Sequence, residues 1–132
     1  MAYTDGASRG NPGPSSYGAV VYDENMNELH RTHRALGHGT NNQAEYAGAI
    51  AALEAALALG ATDVELRMDS ELIVRQLAGR YRVKNPGLQP LYKRVLVLRS
   101  QFDRVQIEHV PRAQNKVADA LANEALDGAP AP

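Results

Sequence analysis

Two periods of apolar and polar positions run along the chain. YGAVVYD (17–23) is rich in β-forming residues and 28–36 continues as a second strand, with Asp23 to Asn27 as the hairpin loop between them. A short apolar start at 2–4 predicts a strand ahead of this hairpin, and VELRM (64–68) and VQIEHV (105–110) predict two more, the latter ended by Pro111. Helical spacing takes over at 42–59, where Tyr46, Ile50, Leu53 and Leu57 share one stripe among helix-favouring alanines. Asn42 suits the N-cap of this helix, Glu45 the capping-box position and Gly60 the stop. Further helices are expected over 70–78, closed by Gly79, and over 88–100 and 113–126. DGASRGNPGPSSY (5–17) reads as a tight turn system, and 80–87 as a basic loop ending in Asn85-Pro86-Gly87. The order β β β α β α α β α predicts an α/β architecture, a mixed sheet with helices packed on it.

Composition narrows the class. The 132 residues, 44% of them hydrophobic, suffice for one domain with its own core, expected over 1–127, with 128–132 as a flexible tail. Cysteine is absent, which excludes disulfides and Cys-ligated metal centres. The N-terminus shows no basic stretch followed by an apolar run, so no secretory leader is expected. The alanine-rich run at 46–62 is interrupted by Glu54, so a buried helix is expected there and no membrane partner. A cytoplasmic location fits these features.

Net charge is −1, but its distribution is uneven. Residues 72–102 carry seven basic residues and no acid, while ten of the fifteen acids precede residue 72. Such a segment is either a solvated surface or a phosphate-attracting face.

Four acids stand at the expected edges of elements: Asp5 after the first strand, Glu45 in the first turn of the long helix, Asp69 directly after VELRM, and Asp119 in the last helix. Each has a local explanation. Asp5 could begin a turn, Glu45 could close a capping box, Asp69 could cap the next helix, and Asp119 could border its helix's apolar face. Together they make a different case. Edges of strands and helices are where open α/β sheets place their sites, and hard divalent cations take carboxylate oxygens.

The motifs around these acids are TDGASRGNPGPSSYGAV (4–20), TNNQAE (40–45), MDSELIV (68–74), VKNPGL (83–88) and HVPRAQNKVADALANEA (109–125). In this order they resemble type 1 ribonuclease H over nearly the whole chain, from about residue 2 to residue 127. The resemblance implies a five-stranded mixed β-sheet flanked by α-helices, and an endonuclease that cuts the RNA strand of an RNA–DNA hybrid, leaving 5′-phosphate and 3′-hydroxyl ends. Asp5, Glu45, Asp69 and Asp119 would hold two Mg²⁺ ions, with Mn²⁺ as a substitute. Asp5 would bridge the two, Asp119 would face the attacking water, and Glu45 and Asp69 would face the leaving oxygen.

Choosing RNA over DNA needs contacts to the 2′-hydroxyl. The resemblance assigns these to Gly6, Ser8, Asn11, Asn41, Asn42 and Gln43. It places Thr40, Ser70 and Asn85 at the DNA phosphate, with Lys84 nearby. Double-stranded RNA is a further candidate substrate, and a monomer is expected.

Two departures from the family pattern stand out. The loop that often carries a His before the last helix is short here, VPRAQN, and offers Arg112 instead; His109 lies earlier, in the expected strand, and reads as structural. The Trp-rich basic insertion of several relatives is missing, and the chain has no Trp; Tyr81 and Tyr92 are the aromatics of that region. A silent nucleic-acid binder and a nuclease of other specificity on the same fold are the competing readings.

Overall fold

A computed structural model describes residues 1–128. The chain runs β1 (Ala2–Ser8), β2 (Gly13–Tyr22), β3 (Glu28–Gly39), α1 (Asn41–Ala58), β4 (Asp63–Met68), α2 (Glu71–Leu77), α3 (Gln89–Arg99), β5 (Arg104–His109), a 3₁₀ turn (Arg112–Gln114) and α4 (Lys116–Asp127). The five strands form one sheet in the order β3-β2-β1-β4-β5. The β1–β2 and β2–β3 pairs are antiparallel, while β1–β4 and β4–β5 are parallel. This is the expected mixed sheet. The expected tail begins at Gly128, which caps α4; residues 129–132 lie outside the described residues. Among the described residues no helix is long and apolar enough to cross a membrane.

The glycine- and serine-rich segment at 5–17 is mostly strand, not a turn system. β1 and β2 pair without interruption from Ala2↔Val21 to Ser8↔Ser15, and only residues 9–12 turn. Small residues are there because helices come close on both faces. A Cβ on Gly6 would fall 2.5 Å from the carbonyl carbon of Ala44 in α1. On Gly18 it would fall 2.6 Å from Leu121 Cβ and 2.7 Å from Ala122 N in α4. Gly18 pairs with Asp5, one position from Gly6, so the two glycines mark opposite faces of the sheet. α1 and α4 therefore sandwich the centre of the sheet.

The long helix begins earlier than the apolar stripe suggests. Thr40 is its N-cap: the Thr40 hydroxyl accepts from Gln43 N–H, and the Gln43 side chain accepts from Thr40 N–H. The expected capping roles of Asn42 and Glu45 therefore fall to Thr40 and Gln43, and Glu45 is left for other chemistry. Toward the sheet α1 buries Ala49, Ala52 and Ala56 beside Tyr46 and Leu53, whereas Ile50 and Leu57 are only partly buried. Alanine on the packed face lets helix and sheet approach closely. The last helix also differs from expectation, since Arg112–Gln114 forms a 3₁₀ turn and α4 starts at Lys116.

Gly18→Ala is expected to destabilise the chain by about 1–3 kcal/mol, because the added methyl meets α4 backbone that cannot give way locally. Urea denaturation of the variant against wild type measures this; unchanged stability would mean that α4 does not sit so near β2.

Candidate active site

Asp5 lies at the centre of the sheet, on β1, one residue past the last β1–β4 rung, Thr4↔Met68. Asp69 follows Met68, so the chain delivers both carboxylates at the same level where two parallel strands end. Glu45 comes in from the second turn of α1 and Asp119 from the first turn of α4. Oxygens of Asp5, Glu45 and Asp69 lie within 4.8 Å of one another. Asp119 lines the same cleft, of about 520 Å³, and its carboxyl group engages Asp5.

The Asp-Gly pair of β1 does two jobs. Asp5 supplies a carboxylate, and Gly6, lacking a Cβ, lets the first turns of α1 rest on the strand. That contact allows Gly6 N–H to donate to Glu45 Oε1 at 3.1 Å. Glu45 Oε2 has no hydrogen-bond partner although it is buried. Arg112 pairs with one of the acids, its Nη2 3.6 Å from Asp119 Oδ1, and its side chain is mostly in water.

These surroundings disfavour charge. Asp5 is 5% exposed, and burial first, then the charge of Glu45, then hydrogen bonding with Asp119 push its pKa up to about 10. Burial raises Glu45 to about 7, although the bonds from Gly6 and with Asp5 pull the other way. A buried group of carboxylates that cannot all ionise, one of them with an unpartnered oxygen, is a fit for hard divalent cations. The donor set is all oxygen, which suits Mg²⁺ or Mn²⁺ over softer metals.

Around the acids, Gly6, Ser8, Asn41, Asn42, Ser70 and Arg112 line the cleft. Asn11 joins its rim, accepting from Asn41 N–H at 3.1 Å. Ser70 also accepts from Ile73 N–H as the N-cap of α2. Four of the expected contacts stand apart from the acids. Thr40 and Gln43 are engaged in capping, though the Gln43 amide nitrogen reaches the Gly87 turn. Asn85 accepts from Gly87 N–H in that same turn, and Lys84 is exposed beside it. His109 ends β5, exposed, in a depression with Arg75 and Arg80 and away from the carboxylates. Sequence reasoning missed Arg9 and Asn123, which also line the cleft. Asn123 is four residues beyond Asp119 on one helix face, a spacing that could have revealed it.

Folded Asp5 and Glu45 hold protons more tightly than their ordinary values of 3.8 and 4.5 allow. Their share of stability is fully present below those values and is lost as pH rises through about 7 and toward about 10. In chelator the melting temperature should therefore fall from about pH 5 to about pH 9, and Asp5→Asn should melt higher than wild type and lose most of this slope. A melting temperature that rises with pH across that range, or a destabilised Asp5→Asn, contradicts this account of the cluster.

Comparison with known proteins bears on the same residues. The family model described as reverse transcriptase-like matches residues 3–125. A bifunctional protein of Mycobacterium tuberculosis is 52% identical over 126 residues, 95% of this chain and 35% of that protein. Ribonuclease HI of Halobacterium salinarum is 50% identical over 128 residues, 97% of this chain and 64% of that protein. This chain thus spans between a third and two thirds of the length of these relatives. Ribonuclease HI of Caulobacter vibrioides is 34% identical, over 94% of this chain and 90% of that protein. Among solved structures, RNase H1 of Halobacterium salinarum superposes with a TM-score of 0.94 at 50% identity, covering 97% of both chains. LC11-RNase H1, solved in complex with an RNA/DNA hybrid, gives 0.91 at 44% identity over 96% of this chain and 95% of that one. With the sheet order, the carboxylate cluster and these likenesses in agreement, the chain belongs to the type 1 ribonuclease H family.

Proposed function

We propose that this chain is an endoribonuclease that hydrolyses the RNA strand of RNA–DNA hybrids, leaving 5′-phosphate and 3′-hydroxyl ends. The observation that carries the reading is the group of three carboxylates with oxygens within 4.8 Å, at the floor of a cleft lined by amides and hydroxyls. Asp5, Glu45, Asp69 and Asp119 would hold two Mg²⁺ ions, or Mn²⁺ in their place. When bound, such ions activate the attacking water and stabilise the leaving oxygen of an in-line displacement. All four acids come from one chain, so a monomer suffices.

The chain's own residues account for the rest. Asn41 and Asn42 offer donors and acceptors to the 2′-hydroxyls and base edges of a minor groove, and Ser8 and the backbone at Gly6 continue that surface. Since Thr40 caps α1, Asn42 is free for substrate. Ser70, Thr40, Asn85 and Lys84 would receive the DNA strand, whose phosphates need only positioning contacts. Arg112, mostly exposed at the mouth, would offset charge on the scissile phosphate; a guanidinium does not deprotonate, so it is no general base.

A labelled hybrid should be cut with Mg²⁺ or Mn²⁺ and left intact in excess EDTA, and a run of four deoxyribonucleotides in the RNA strand should stop cutting there. Single-stranded RNA, duplex RNA and duplex DNA complete the assay. Cutting in EDTA removes the metal mechanism, and duplex DNA cut as fast as hybrid makes the chain a general nuclease. Asn42→Ala should slow hybrid cleavage with little effect on melting temperature.

His109→Ala should keep activity within about twofold of wild type, while Arg112→Ala should lower kcat by about threefold to tenfold. A hundredfold loss at His109 in a folded variant would bring that imidazole back into the reaction.

A further inference from the structure

Asn115 sits between the 3₁₀ turn and α4 and is 1% exposed. Its place in the chain is that of an N-cap, where an Asn side chain ordinarily accepts from a helix N–H. It makes no such bond. Its Nδ2 instead donates to Thr4 O at 2.8 Å and to Asp69 Oδ2 at 3.3 Å. Both partners are acceptors, which turns the NH₂ end of the amide toward them. The β1–β4 ladder ends at Thr4↔Met68, so the carboxamide takes up a strand carbonyl where the ladder stops. The main-chain carbonyl of Asn115 accepts from Asp119 N–H at 3.1 Å. One residue is thus bonded to the neighbour of Asp5, to the carboxylate of Asp69 and to the backbone of Asp119.

The other end of the amide sharpens the point. Asn115 Oδ1 is buried without a donor. Leaving a buried acceptor unpaired opposes folding. A side chain selected for packing alone would be apolar here. What Asn supplies, and what neither an apolar residue nor Asp supplies at neutral pH, is two protons on a short side chain without added negative charge.

We infer that Asn115 is a positioning residue of the metal site: its carboxamide, anchored on Thr4 O, fixes the Asp69 carboxylate opposite Asp5, so that this ligand is in place before the ion arrives. Loss of a group that orients a metal ligand in this way typically weakens affinity by about 10–100-fold. The inference rests on the metal-dependent reading above.

Calorimetric titration of Mn²⁺ into the whole chain tests it, with hybrid cleavage and melting in chelator alongside. Asn115→Ala should bind Mn²⁺ about 10–100-fold more weakly than wild type. Its kcat should recover as metal is raised, with KM for hybrid within about twofold of wild type. Should the alanine variant not fold, Asn115→Ser carries the same comparison, since a hydroxyl offers one proton where the amide offers two. On an Asp69→Asn background the further change Asn115→Ala should alter Mn²⁺ affinity by less than about twofold. Wild-type affinity in the Asn115 variants, or a full loss persisting on the Asp69→Asn background, overturns the inference while leaving the metal mechanism standing. A wild-type chain that binds no Mn²⁺ overturns both.

Discussion

Asp5 occupies the centre of the sheet with Glu45, Asp69 and Asp119 around it, and the rest of the molecule is arranged to make that placement tolerable. Like charges out of water repel strongly, and each carboxyl raises the energy of ionising the next. The response of the fold is to let Asp5 keep a proton and to place a single backbone donor, Gly6 N–H, on Glu45. The apolar core that supports this lies between the sheet and α1, α2 and α3, built on Leu53, Leu66, Met68, Ile73, Val95 and Leu98. The site sits at the end of that core, where β1 and β4 stop pairing, and borrows its rigidity.

Close approach is the second requirement. Two helices on opposite faces must each bring an acid to one strand, and side chains of ordinary size would hold them too far away. Gly6 and Gly18 remove the obstacle on either face, and the alanines of α1 do the same along its length. The position of the carboxylates is thus written in the small residues of β1, β2 and α1 as much as in the acids. Ser16 adds to this on the α4 face, its hydroxyl donating to Ala122 O at 2.5 Å.

The same small residues explain what the sequence conceals. Strands 64–68 and 105–110 were legible because their side chains alternate, and the four acids because each stands at an element edge. β1 and β2 were legible only in part, since a strand whose faces are covered by backbone has Gly, Ser and Pro where Val and Ile would announce it. The start of α1 was misplaced by two residues because Thr40 and Gln43 make the same capping pattern that Asn42 and Glu45 suggest. The site's polar rim was read partly from resemblance, and Asn85 and Gln43 turn out to be held by local turns. Asn115 stands four residues ahead of Asp119 in an Asn-x-x-x-Asp motif, but its side-chain partners could not be read locally, because they lie 46 and 111 residues away in sequence.

Protonation and cation binding compete for the same oxygens. At neutral pH the folded cluster holds a proton that the unfolded chain would have released, and a cation held by Asp5 and Glu45 would have to displace it. The raised carboxyl pKa values therefore weaken metal affinity as pH falls, while the same desolvation strengthens each remaining carboxylate–cation contact once made. A cluster exposed to water would bind its cations with less competition and less attraction. Burying the acids to the depth seen here trades easy loading for a strong, fixed field at the floor of the cleft. That field falls in the cleft that Gly6, Asn41 and Asn42 line, so in the proposed reaction strand choice and charge stabilisation would be set by adjoining residues at the start of one helix and on one strand.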